Sequence, residues 1–134
     1  MTAHQAAIVP LEPFGKARPR VTRGHTYMPR EYIAARDALR LLFGPVTVAP
    51  PWALQVTAVR AMPASWSKRK RAAMAGAWCT SKPDADNIAG AVMDALFEDD
   101  AAVVSVACLK RWGTTAELRI EIETLEENRH ESDN

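Results

Sequence analysis

Cysteine is nearly absent. Cys79 and Cys108 stand alone and far apart, with no C-x-x-C, which excludes a disulfide framework and a cysteine-rich zinc site. Both are read as reduced packing residues. No apolar run approaches the 18 or so residues that span a bilayer, so no membrane segment is expected. The segment from Met1 to Ile8 lacks a basic start followed by a long apolar stretch, so no secretory signal is expected either. A cytoplasmic protein is the resulting expectation. His4, His25 and His130 are isolated, none with a partner at ligand spacing, and read as surface residues. There is no G-x-S-x-G, P-loop or G-x-G-x-x-G. Trp52, Trp66, Trp78 and Trp112 are scattered, which favours packing over a base-stacking platform.

What is present is an uneven distribution of charge. The 134 residues suit one domain with a real core. Their net charge is +1, yet residues 1–82 hold 13 Lys/Arg and 3 Asp/Glu, against 4 and 13 in residues 83–134. A +10 half can track a polyanion and a −9 half can hold a cation.

The acidic half centres on residues 81–100, where five aspartates and Glu98 surround a short apolar segment. Ile88, Ala91, Val92, Ala95 and Leu96 form one stripe of an amphipathic helix. Asp84 and Asp86 fall at its start, where acids can cap free N–H groups and meet the positive end of the helix dipole. Asp99 and Asp100 fall past its end, where that explanation fails. Asp84 and Asp86 can point the same way if the backbone is extended, and Pro83 disfavours helical geometry at Lys82. Such a pair can grip one hard cation, with a third acid supplied by the fold. The competing reading is capping plus a solvated surface.

In chain order, Gln5 to Leu11 reads as a strand. Phe14 to Tyr27 reads as a loop or flexible arm in which Lys16, Arg18 and Arg20 suit phosphate contacts. Pro29 opens a helix with Tyr32, Ala35, Leu39, Leu42 and Phe43 on its apolar face, and Gly44-Pro45 ends it. Trp52 to Val59 alternates as a strand. Ser65 or Ser67 can cap a short helix bearing Lys68, Arg69, Lys70 and Arg71, ended by Gly76. After the acidic helix, Ala101 to Trp112 and Thr115 to Thr124 read as strands closing in a hairpin at Gly113-Thr114. The order β-α-β-α-α-β-β predicts an α+β fold: a single-domain mixed β-sheet with helices packed mainly on one face. The domain is placed at 1–125, with a polar tail at 126–134.

Three ordered segments resemble the RusA family of Holliday junction resolvases, common in bacterial prophages. They are Gly15-Lys16-Ala17-Arg18-Pro19-Arg20-Val21-Thr22, then Pro63 to Lys68 with Arg69-Lys70-Arg71, then Lys82-Pro83-Asp84-Ala85-Asp86-Asn87 followed by Asp94-Ala95-Leu96 and Asp99-Asp100. The resemblance implies a Mg²⁺-dependent homodimeric endonuclease that binds four-way DNA junctions and nicks two strands symmetrically in recombination and repair. It implies that Asp84, Asp86 and Asp100 are the catalytic and metal-holding acids. Asp99 is a neighbour of the third, and Asp94 matches a family aspartate on the helix. DNA contact is expected from Lys16, Arg18, Arg20, Lys68, Arg69, Lys70, Arg71, Lys82 and Lys110.

One departure stands out. The family usually carries a catalytically important lysine three residues after the asparagine, and here that position is Gly90. Lys82 or Lys110 is expected to cover the role; otherwise activity is weak or lost. The three aspartates are expected to converge on one cation, the chain folding back through the start of the next strand. The rival readings are a non-cleaving junction binder and a basic interaction module without nuclease activity.

Overall fold

The computed structural model describes residues 3–126; the tail placed at 126–134, apart from Glu126, and His130 lie outside the described residues. Two layers form around the main core. A four-stranded sheet runs in the order β1 (His4–Val9), β6 (Glu117–Thr124), β4 (Trp52–Ala61), β5 (Val103–Gly113). The helices α1 (Arg30–Phe43) and α3 (Ala85–Leu96) lie side by side across one face. The sheet is mixed: β4 and β5 are parallel, and the other pairs are antiparallel. The α+β class and single mixed sheet follow the expectation.

Strand alternation sets the helix-bearing face. Leu54, Val56 and Ala58 of β4 stand opposite Ile122, Ile120 and Leu118 of β6, and all six are buried. With period two, those side chains share one face. Ile88, Val92 and Ala95 of α3 and Leu39 and Phe43 of α1 close the core over them. These are the helical stripes legible in the sequence, except that Leu42, expected on the apolar face of α1, is exposed. Gly44, at φ 83°, ends α1 in a conformation that favours glycine. The peptide bonds before Pro51 and Pro83 are cis.

Two expectations are corrected. Residues 103–124 do not form a hairpin: β6 pairs with β1 and β4, on the far side of β4 from β5. Leu118, Ile120 and Ile122 are fully buried in that interior position, whereas a hairpin would have left them nearer the sheet edge. Nor is the basic N-terminal segment entirely loop. Arg20–Thr22 (β2) and His25–Tyr27 (β3) pair as a small antiparallel ribbon. Arg23 and Gly24 both have positive φ, the geometry of a tight two-residue hairpin turn.

A second, smaller core gathers Met62, Cys79 and Trp112, with Trp66 and Met74 against it. It anchors α2 (Lys68–Met74). It also lays residues 76–79 along the outer edge of β5, through Gly76 N–H to Trp112 O, Trp112 N–H to Ala77 O and Cys79 N–H to Lys110 O. That cover stops at Lys110. Among the described residues, the edge of β5 from Val103 to Leu109 has no strand beside it.

Candidate active site

The N-terminus of α3 carries the acidic pair. Asp84 is the N-cap, in extended geometry, but its carboxylate makes no cap hydrogen bond. It turns instead to the Lys82 ammonium, with Nζ 2.9 Å from Oδ1 and 3.1 Å from Oδ2. The capping role the sequence allowed is therefore unused, and the carboxylate is left outside the helix. Asp86 lies in the first turn and is exposed.

The approach to α3 is pinned by cations from the sheet. Lys110 of β5 donates to Ser81 O at 2.6 Å, and Arg60 of β4 donates to Lys82 O. A third tether comes from the N-terminal segment, where Lys16 N–H donates to Asn87 O at 2.9 Å. Arg60 was missed by sequence reasoning, because an arginine inside a strand gives no local sign of which loop it reaches.

Asp100 is elsewhere. The acid pair sits at the Lys110 end of β5, whereas Asp100 opens the short turn just before Val103, at the strand's other end. The twelve residues of α3 rise about 18 Å. The strand between Val103 and Lys110 runs a comparable length, about 23 Å. Phe97, stacked 4.7 Å from Trp52, confirms that the chain after α3 reaches the opposite end of β4. Among the described residues, no three His, Cys, Asp or Glu gather into a group able to hold a metal ion. The expected convergence of Asp84, Asp86 and Asp100 within one chain is thus not met. The straight helix carries the chain away from the pair, and Asp100 comes before the returning strand rather than at its end.

The neighbouring acids have separate uses. Asp99 caps the turn after it, accepting from Ala101 N–H at 3.0 Å. Asp94 accepts from the Tyr32 hydroxyl at 2.6 Å and lies 3.7 Å from Arg36, tying α3 to α1. Burial first, then the hydrogen bond and the Asp94 charge, push the Tyr32 phenol above its ordinary pKa, so it stays a donor. Arg40 donates to Ala95 O at 2.8 Å and satisfies the C-terminal end of α3. Asp99 and Asp94 thus act structurally, while Asp100 is exposed and unpaired among the described residues.

The basic run on α2 divides in the same manner. Ser67 caps the helix by accepting from Lys70 N–H at 3.1 Å. Arg71 folds back to Pro63 O at 2.8 Å and Met62 O at 3.3 Å. Lys70 lies 4.2 Å above the Trp66 ring. Lys68 and Arg69 are exposed, as are Arg18 and Arg20. Trp52 and Trp112 pack as expected; Trp78 is exposed, with Arg111 stacked on its ring at 3.8 Å. Cys79 and Cys108 are unpaired. Burial pushes the Cys108 thiol up to about 11, against a smaller lowering by Lys110.

An acidic helix start held by sheet cations, preceded in sequence by two exposed basic segments, belongs to the class of proteins that handle polyanions. The endodeoxyribonuclease RusA family model matches residues 10–123, and the chain belongs to that family. No curated protein matches the chain. Membership implies nuclease activity of the Holliday junction resolvase kind, with junction DNA as substrate. Nucleases of this family are generally dependent on divalent metal. Among the described residues, no helix is long and apolar enough to cross a membrane.

Proposed function

We propose that the protein is a Mg²⁺-dependent homodimeric endonuclease that resolves four-way junctions by two symmetric nicks. Each active site combines Asp84 and Asp86 of one chain with the partner's Asp100. The observation that carries this reading is the placement of the acids at opposite ends of β5, beside an open strand edge.

That edge is apolar as well as unpaired. Val104, Val106 and Leu109 are 61%, 44% and 38% exposed. An open edge running from Val103 to Leu109 invites another strand. A second copy pairing antiparallel about a two-fold axis near Val106 sets the partner's Val103 opposite Leu109. The partner's Asp100 then falls at the Lys110 end, where Asp84 and Asp86 lie. A two-fold axis makes two equivalent sites, which is what two symmetric cuts require.

The donor set fits a hard divalent ion, being carboxylate oxygen throughout. When bound, Mg²⁺ supplies charge neutralisation at the phosphate and a more acidic water. The chain's own residues do the rest. Lys110, Arg60 and the Lys16 amide fix the backbone under the acid pair. Exposed Lys68, Arg69, Arg18 and Arg20 contact phosphates of the junction arms and give affinity with little base readout. The cytoplasm is the compartment this substrate implies.

Subunit mixing tests the arrangement. Asp86→Asn and Asp100→Asn homodimers should both fail to nick. Mixed dimers regain one intact site if the acids are shared across the two-fold, and should nick one strand without resolving the junction. Continued silence of the mixed dimers, with exchange verified, would overturn the shared site. Failure of the parent protein to nick a junction with Mg²⁺ would leave the non-cleaving binder as the reading.

A further inference from the structure

We infer that Lys16, from the N-terminal loop, supplies the phosphate-facing cation that α3 itself lacks at Gly90. The inference rests on the nuclease reading above and identifies a catalytic residue for it.

Three lysines flank the acid pair, and two are occupied. Lys82 is engaged by the Asp84 carboxylate and Lys110 by the Ser81 carbonyl. Neither of the cations that sequence reasoning offered for the role is therefore free. Lys16 has an exposed side chain that makes no ion pair among the described residues.

Its position is set by close packing. The Lys16 amide is bonded to Asn87 O, which fixes the loop against the first turn of α3. Gly15 permits that approach: a Cβ there would lie 3.2 Å from Asn87 Cβ and 3.4 Å from Pro83 Cβ. The Lys16 stem then crosses Gly90. A Cβ on Gly90 would meet Lys16 Cδ at 3.5 Å and Lys16 Cβ at 3.6 Å. A longer side chain at 90 would need the volume the Lys16 stem already fills.

This accounts for a glycine in the middle of a helix, where it is less favourable than alanine because it loses more backbone freedom. The bare turn at Gly90 is the bed for a lysine delivered from another segment. The ammonium lies two bonds beyond Cδ, roughly 1.5 Å each, so it falls within about 6.5 Å of where a Cβ at position 90 would stand. Positions 86 and 90 lie on one helix face. The charge is therefore on the side of α3 that carries Asp86, without being neutralised by it. A free cation beside a carboxylate that holds metal is placed to meet a non-bridging oxygen of the phosphate under attack, where charge accumulates during cleavage.

Lys16→Met tests this, since it keeps the stem over Gly90 and removes only the charge. Single-turnover nicking with Mg²⁺ should fall by roughly 100-fold, the scale seen when one donor to a transition-state oxyanion is removed. Junction affinity without metal should change only a few-fold, and the thermal midpoint should hold. The double variant Lys16→Ala with Gly90→Lys, which clears the stem from over position 90, should recover at least ten-fold of the loss. Nicking by Lys16→Met within about three-fold of the parent overturns the inference. So does a folded, inactive Lys16→Ala that Gly90→Lys leaves inactive, because the two positions then do not serve one pocket. A parent protein that never nicks refutes the nuclease reading instead, and that result is visible before any variant is made.

Discussion

The Asp84 carboxylate is free of the helix cap that its position suggests, and this decides what its removal does. Asp84→Asn deletes one exposed ion pair with Lys82, worth about 0–1 kcal/mol at most, so the melting curve should barely move. Nicking should be lost, while junction binding without metal persists or tightens because a charge repelling phosphate has gone. Parallel gel-shift and nicking assays check this; full activity in the variant would remove Asp84 from the site. Gly113 is the opposite kind of position. A Cβ there would lie 2.5 Å from Val59 Cγ1, closer than packed carbons tolerate. Gly113→Ala should destabilise the protein by about 1–3 kcal/mol, as overpacking does. Urea unfolding would show it as a lower midpoint with an unchanged slope.

Helix α2 illustrates how one motif can do two jobs. Its four consecutive cations looked equivalent in sequence, yet Arg71 braces its own loop while Lys68 and Arg69 face outward. Replacing Lys68 and Arg69 with Gln should lower junction affinity and flatten its salt dependence. The log–log slope should fall by about 0.9 for each phosphate no longer neutralised. Arg71→Ala should instead loosen the Met62–Trp66 segment and lower thermal stability, with a smaller effect on the salt slope. Titrating junction binding across a salt series, beside thermal melts, separates the two. If Lys68 and Arg69 can be neutralised with no change in slope, α2 does not face DNA.

For the whole molecule, the decisive feature is the uncovered edge of β5. Val106→Lys places a charge at the centre of the proposed two-fold axis, a position where edge strands avoid self-pairing. Light scattering should show the parent as a dimer and the variant as a monomer. The variant should keep its circular dichroism spectrum, because Val106 is already partly exposed. It should also lose nicking, since neither chain alone assembles the three acids. A dimeric, active Val106→Lys would place the interface elsewhere.

Local pattern determined much of this protein. The stripe from Ile88 to Leu96, the alternation from Leu118 to Ile122 and the Gly44 stop are short-range signals, and each appears as the element it implied. The three motifs were equally legible, because side-chain chemistry at fixed spacing survives without knowledge of the fold. Strand order was not: whether β6 joins β5 or inserts between β1 and β4 depends on which arrangement buries Leu118, Ile120 and Ile122. The site was also beyond local reading. Asp84 and Asp100 flank one helix in sequence, and only the path of the chain after that helix decides that they stay apart by its length. Lys16 and Gly90 lie far apart in sequence and touch only because the N-terminal loop packs on α3. Contacts between distant segments are set by the joint packing of the whole sheet and its helices, and no window of sequence contains that information.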